Sequence, residues 1–567
     1  MVPKHALHLA YILLAITFVP NTAAGQTPAA PPRPAPARPA APAIGAAEIV
    51  SLQGTGQARI DEAQAWGGAQ VKQVLGAGHF VRTGELSRMG LVFADETQMR
   101  LNQNTVLQVK QATGRDNSDS TVLSLLSGRG WSQSKVAPKK LVIQTPSATA
   151  AIRGTDWELS VDDQGTSTLT VLSGEVEFFN DFGAVNVLAN EQARAEIGKP
   201  PVKLLISNPQ DRVQWVTAYE VDPLRSIALV SNRVEVLRPR LEQVAADTPA
   251  RTLERGEILA DLGRWNEARP LFASVLAADP NSGAALLDLG FVALHEGDPA
   301  QATLLFTRAE AALGAERQQL LALGRAAAAI QAQSFADAVA ALNRLRGDST
   351  LTQAAPYLLL SDLMVYSGEN APALEYVNEG LARFPDDDRL LAMRARIYMH
   401  ADKIAESRAE VDAVVAKYPR SLEARVAQGD LARREGDPVG ARTAYMTALD
   451  LNPSESRAWY GLGVISAERE DVRRGRNDLR RAIELDPDGA GFVSELGTLE
   501  NLGNNFAEAE RQYARALVIN PNDYVAMTGQ AQLALKRGDA QSALDLLLRV
   551  GLLEPRYARA HLYMAVA

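Results

Sequence analysis

Catalysis and metal binding have little to draw on in this sequence. It contains no cysteine, which removes disulfides, thiolate metal sites, thiol nucleophiles and the acylated residue of a lipid-anchored export product. Its six histidines, His5, His8, His79, His295, His400 and His561, are dispersed; only His5 and His8 are close together, within an apolar leader. No Ser-His-Asp set, phosphate-cradling glycine loop or dinucleotide fingerprint is present. No catalytic, cofactor-binding or metal-binding residue is therefore assigned, and the chain reads as non-enzymatic. Asp162-Asp163 and Asp386-Asp387-Asp388 lack the spaced oxygen ligands of a calcium loop and suit turns and helix caps. The remaining chemistry is recognition. Arg389, Arg396, Arg433 and Arg457, with Tyr460 and Asn501, offer guanidinium forks, a phenol and an amide that suit an acidic or extended peptide.

These residues need elements to hold them, and 567 residues are too many for one core, so several domains are expected. A formal net charge of -9 spread thinly over the length argues against nucleic acid as a partner, because phosphate binding needs clustered Lys and Arg. Lys4 is followed by the 14-residue apolar run Ala6–Val19, the breaker Pro20 and the small residues Thr22 to Gly25. That order is a secretory signal peptide over 1–25, cleaved after Ala24 or Gly25. The run falls short of the roughly 20 residues a membrane span needs, so the mature chain is expected to be periplasmic or extracellular. Membrane association would come only through an uncleaved leader or a partner. Residues 26–43 are a Pro/Ala-rich linker with the composition of polyproline II.

From 44 to 200 the pattern has period two. Trp157, Leu159 and Val161 point one way, Glu158 and Ser160 the other, and Asp162 to Gly165 makes a turn before Thr168 to Val171 alternates again. Short strands at such spacing predict an all-β sandwich or short β-solenoid. The segments Gly78–Gly84, Leu91–Leu101, Val142–Pro146, Ala151–Leu159 and Val171–Val176 together resemble the FecR domain family. Glu96-Thr97 stands where the family usually has Gly-Ser. Asn190 replaces a customary glycine and keeps the left-handed option open. In Arg153-Gly154-Thr155, Gly154 is expected at a positive φ or close strand approach and Arg153 in a structural ion pair. The sensor branch of that family has a sigma-factor-binding segment and a membrane span not found here. The resemblance thus implies the fold and a binding or sensing role.

Residues 201–248 read as a helical connector: Asn208 to Asp211 can cap a helix, and apolar spacing of three and four continues from Leu224 to Val244. Beyond it, Pro385, Pro419, Pro453, Pro487, Pro521 and Pro555 are each 34 residues apart, as helix stops in an array of helix pairs would be. Gly429, Gly463 and Gly497 recur in register, as do Tyr445, Leu479 and Tyr513; small residues let one helix approach and bulky ones fill the gap. The pattern resembles the tetratricopeptide repeat, an all-α superhelix over 249–567 with about nine repeats and a truncated tenth. The resemblance implies a concave groove on which Arg389, Arg396, Arg433, Arg457, Tyr460 and Asn501 are inward candidates.

The sequence thus predicts an exported cell-envelope scaffold. It would bind a protein or peptide through the repeat groove and a second protein, an envelope polymer or a signal through the β domain. The alternative is the N-terminal part of a larger envelope protein whose outer-membrane barrel, transport or signalling domain lies beyond this sequence.

Overall fold

The computed structural model describes residues 47–93, 97–111, 121–133, 141–152, 155–204, 221–231, 233–469, 471–554 and 557–566. The leader, the Pro/Ala-rich linker, Ala94 to Glu96, Arg153, Gly154, residues 205–220 and Pro555 lie outside them.

The described strands are β1 (Ala47–Gln53), β2 (Gly56–Arg59), β3 (Gly67–Gly68), β4 (Val74–Leu75), β5 (Phe80–Thr83), β6 (Arg88–Phe93), β7 (Gln98–Leu101), β8 (Val106–Gln111) and β9 (Thr121–Gln133). They continue as β10 (Leu141–Gln144), β11 (Thr149–Ile152), β12 (Asp156–Val161), β13 (Ser167–Ser173), β14 (Glu175–Asn180), β15 (Gly183–Leu188), β16 (Glu191–Ala195) and β17 (Val202–Leu204). Two layers result. One runs β4-β1-β6-β7-β9-β12-β13-β16-β17. The other runs β3-β2-β5-β8-β9-β10-β11-β14-β15.

Every ladder is antiparallel except β9–β10. The fold is therefore a sandwich whose layers share the long strand β9, with its first half in one sheet and its second in the other. Gly128 marks the crossover at φ +85, and a Cβ there would lie 2.4 Å from the Thr105 Cα; only glycine fits. The alternation works as burial dictates: Ile49, Leu91, Leu101, Leu125, Trp157, Leu159, Leu169 and Phe178 are fully buried between the sheets. The Asp162 Oδ1 accepts the Gln164 and Thr166 N–H groups, closing the expected turn. Asn190 takes φ 66, the left-handed conformation its side chain tolerates.

A short helix, α1 (Val234–Gln243), leads to the array. Its pairs are α2 (Pro249–Asp261) with α3 (Trp265–Ala278), α4 (Gly283–His295) with α5 (Pro299–Glu310), and α6 (Gln318–Gln331) with α7 (Phe335–Gly347). Next come α8 (Ala355–Ser367) with α9 (Asn370–Arg383), α10 (Asp388–His400) with α11 (Ile404–Lys417), and α12 (Leu422–Arg434) with α13 (Pro438–Leu451). The last are α14 (Ser456–Glu468) with α15 (Val472–Leu485), α16 (Ala490–Leu502) with α17 (Phe506–Ile519), and α18 (Tyr524–Lys536) with α19 (Ala540–Leu553), before α20 (Ala558–Met564).

Pro385, Pro419, Pro453, Pro487 and Pro521 sit two residues past the second helix of their pairs, as at Leu451–Pro453 and Leu485–Pro487, where a missing N–H and a fixed φ cost nothing. The periodic glycines meet the periodic bulky residues. A Cβ on Gly429 or Gly461 would lie 2.4 Å from the Tyr445 ring, and on Gly529 2.0 Å from the Tyr513 Cζ.

The array winds until successive turns of the superhelix touch. Gly263, between α2 and α3, abuts Ser454, and Gly297, between α4 and α5, abuts Asp488; each pair is 191 residues apart. The Asn452 Nδ2 donates to the Leu262 carbonyl at 3.2 Å. One step further on, the loop between β1 and β2 is inserted: the Gln333 Oε1 accepts from the Gly54 N–H at 3.0 Å, and the Asn522 Nδ2 reaches the Leu52 carbonyl at 3.4 Å. Glu369, after α8, pairs with Arg129 of β9, and Leu86 joins the apolar cluster of α4 to α8. The polar outer face of β6 and β7 is therefore buried against helices. Arg88 stacks on the Tyr366 ring at 5.0 Å, and the Arg100 Nη1 donates to the Leu552 and Leu553 carbonyls at 2.7 and 3.1 Å. Burial lowers Arg88 to about 10 and, with Arg88 nearby, Arg100 to about 9; both stay charged at neutral pH.

The connector corrects one expectation. Between Val221 and Ser231 it is not helical apart from a short turn at Leu224–Ser226, and the helix occupies only Val234–Gln243. The apolar spacing here serves non-helical packing: Ile227 is buried in the cluster of α4 to α8, and Val221, Leu224 and Leu229 are partly buried against it. Side chains from distant repeats take the hydrogen bonds that a helix would have made internally.

Candidate functional site

A helix in such an array exposes one face to its neighbours and one to the inner groove, so groove side chains recur about once per repeat. The structure places the six candidate residues as follows. Arg389, at the start of α10, is held by Asp387 at 2.8 Å and donates from Nη1 to the Ser226 carbonyl at 3.1 Å. Arg396 pairs with Asp362 at 2.8 Å. Arg457 forms a fork with Glu423 at 2.8 and 2.6 Å and also reaches Glu455. Arg433 lies beside Tyr460, Tyr445 and Asp430. The Tyr460 ring packs on Phe492 with centroids 4.9 Å apart. Asn501 bonds Gln532 at 2.6 Å and Lys536 at 3.0 Å.

The ion pairs Arg396–Asp362 and Arg457–Glu423 each span 34 residues, so they link equivalent positions of adjacent repeats. Burial alone would raise the Glu423 carboxyl, yet the Arg457 guanidinium outweighs it and draws it down to about 2. Of the six, Arg389 engages the connector. Tyr460 and Arg457 line the cavity beside it, Arg396 borders a smaller one, and Asn501 joins a separate polar cluster.

The groove is not empty. The connector from Val221 to Ser231 lies in it, and three side chains take its main-chain groups. The Gln353 amide bonds both sides of one residue, accepting from the Ala228 N–H at 3.1 Å and donating to the Ala228 carbonyl at 3.3 Å. Asp261, the last residue of α2, accepts from the N–H groups of Leu229, Val230 and Ser231 at 2.8, 2.7 and 2.9 Å. Arg389 completes the set at Ser226. Burial pushes the Asp261 carboxyl up to about 7, against the pull of the three N–H donors. Asp261 and Gln353 escape sequence reasoning because their partners are 30 to 32 and 125 residues away.

Beside the connector remains a polar cavity of about 390 Å³, lined among others by Asp222, Arg225, His295, Tyr460, Asp486 and Phe492. Burial, and then the Asp222 carboxylate, raise Asp486 to about 7 and Asp488 to about 6. His295 stacks on Trp265 at 5.1 Å, and burial lowers it to about 4, so it is neutral. Among the described residues no group of three or more acidic or histidine side chains could hold a metal ion, and no helix is long and apolar enough to cross a membrane. The arrangement suits recognition of a peptide main chain.

The family matches agree with this architecture. Residues 79–177 match the FecR protein family, and residues 259–323, 358–421, 426–474 and 467–524 match tetratricopeptide repeats. A TPR repeat-containing protein of Pseudomonas aeruginosa is 28% identical over 134 residues, covering 24% of this chain and 54% of its own length. The protein O-mannosyl-transferase Tmtc1 of Drosophila melanogaster is 32% identical over 142 residues, 24% of this chain and 16% of that protein. This chain thus spans about half or less of the length of these relatives. Among solved structures, the APC/C hetero-tetramer Cut9–Hcn1 aligns at 11% identity with a TM-score of 0.41, over 63% of this chain and 68% of that one.

Proposed function

We propose that this chain, which joins a FecR domain to a tetratricopeptide array, is an exported, non-enzymatic scaffold of the cell envelope that holds partner proteins. Tetratricopeptide repeats are a protein-interaction architecture. The observation that carries the reading is the groove itself: Asp261, Gln353 and Arg389 hold a non-helical, bent segment through six of its main-chain polar atoms, which is peptide recognition in place. The N-terminal order of a basic residue, an apolar run and small residues supports export. The FecR domain serves as a second binding or sensing module.

The test is capture from envelope extract by the full mature chain, with localisation by cell fractionation. A specific protein enriched over a scrambled-bait control is the expected result. Background alone, or the native protein in the cytosol with its leader intact, would overturn the reading.

A further inference from the structure

We propose that residues Val221–Ser231 are a resident ligand of the groove, occupying in cis the place where a partner peptide with a bent, non-helical main chain binds. The inference rests on the scaffold reading and names the partner's chemistry: a short bent segment read through its main chain, with an aliphatic side chain at the position of Ile227.

The seating carries this. From Ser226 to Ser231, two carbonyls and four N–H groups are taken by side chains of the array. None of these bonds uses a connector side chain, so any peptide that can take the same bend, with three successive N–H groups turned to one side, presents the same groups. Side-chain selection comes from Ile227, only 9% exposed and packed with the cluster of α4 to α8, where Leu224 and Leu229 lean on it. Recognition thus reads the main chain first and one aliphatic side chain second. The three reading side chains belong to α2, the loop before α8, and α10. They span the first to the fifth helix pair, so the connector bridges parts of the array that a partner would otherwise bridge.

Tethering sets the competition. A segment joined to both the β domain and the array has an effective concentration in the millimolar range. A free peptide of equal intrinsic affinity must reach that range, or the connector must be weakened. The connector can be weakened without touching the groove. Ala228→Pro removes the N–H that Gln353 accepts, and Val230→Pro removes one that Asp261 accepts.

The probe is a fluorescent peptide with the sequence of residues 221–231. In anisotropy titrations of the full chain it is expected to bind the Ala228→Pro/Val230→Pro variant at least tenfold more tightly than the wild type. Adding Gln353→Ala should reverse that gain at least fivefold. A variant of unchanged helical circular dichroism that binds no tighter than wild type would overturn the inference.

Should the prolines prevent folding, the wild-type chain decides. Millimolar unlabelled peptide should speed hydrogen exchange of the Ala228, Leu229, Val230 and Ser231 amides at least threefold, and unchanged rates would overturn the proposal. The two readings fail separately. Partner capture without these peptide effects sinks only the resident ligand, and peptide binding without any captured partner sinks only the scaffold.

Discussion

Asp261 accepts three successive main-chain N–H groups, more than any neutral side chain can. An asparagine in its place keeps one acceptor and turns an amide N–H₂ toward a donor. Asparagine cannot serve all three donors, so Asp261→Asn should loosen the connector selectively, read as faster amide exchange at Leu229, Val230 and Ser231. Helix content would stay the same.

The neighbouring acids give a pH dependence. Asp486, Asp488 and Asp261 sit at about 7, 6 and 7 when folded, above the ordinary value near 3.9. The folded state therefore binds protons that the unfolded chain has already lost, and stability falls as pH rises from about 4 to about 7. Glu423, drawn down to about 2, acts oppositely, and its contribution is lost as pH drops below about 4. The thermal midpoint should be higher at about pH 5 than at about pH 8. Asp486→Asn, facing Asp222, Arg225 and Asp488, should flatten that slope; a midpoint that rises toward pH 8 would contradict these assignments.

Between elements, the decisive contact is glycine against an aromatic ring. Alanine at Gly529 would gain about 1 kcal/mol of helix propensity but would place its Cβ 2.0 Å from the Tyr513 Cζ. Overpacking costs about 1–3 kcal/mol, and a 2.0 Å approach lies at the severe end, so the clash wins and Gly529→Ala should destabilise by up to about 2 kcal/mol. Gly491, in α16, has open space where a Cβ would go, and Gly491→Ala should stabilise by up to about 1 kcal/mol. Denaturant midpoints of the two variants must move in opposite directions.

Such contacts were legible in the sequence because a 34-residue period repeats them, and the strands were legible because Trp157, Leu159 and Val161 alternate. Two things were hidden. Gln98 and Arg100 occupy outward positions that alternation assigns to water, yet α19 covers both, with Arg100 bonding carbonyls 452 and 453 residues away. The connector's apolar spacing fits a helix locally, and only Asp261, Gln353 and Arg389, contributed by distant repeats, favour the bent, non-helical form. Of the groove candidates, the Arg396 and Arg457 pairs carried a readable signal, opposite charges 34 residues apart, while Asp261 and Gln353 carried none.

Across residues 47–566 the array closes on its own chain: its superhelical turns touch at Gly263·Ser454 and Gly297·Asp488, and the β domain wedges into the next step. Arg100 is the buried clasp. Arg100→Ala would leave two helix-terminal carbonyls uncapped beside a cavity, at a cost of about 3 kcal/mol from the charged bonds lost. Calorimetry should then split one unfolding transition into separate β-domain and array transitions.

The most direct measurement is hydrogen exchange of the unliganded full-length chain at the amides of Leu229, Val230 and Ser231, with Gly54 as the reporter of the β-domain wedge. The account predicts protection comparable to the amides inside α2 and α10. Exchange at the rate of an open loop would show the groove vacant and contradict it.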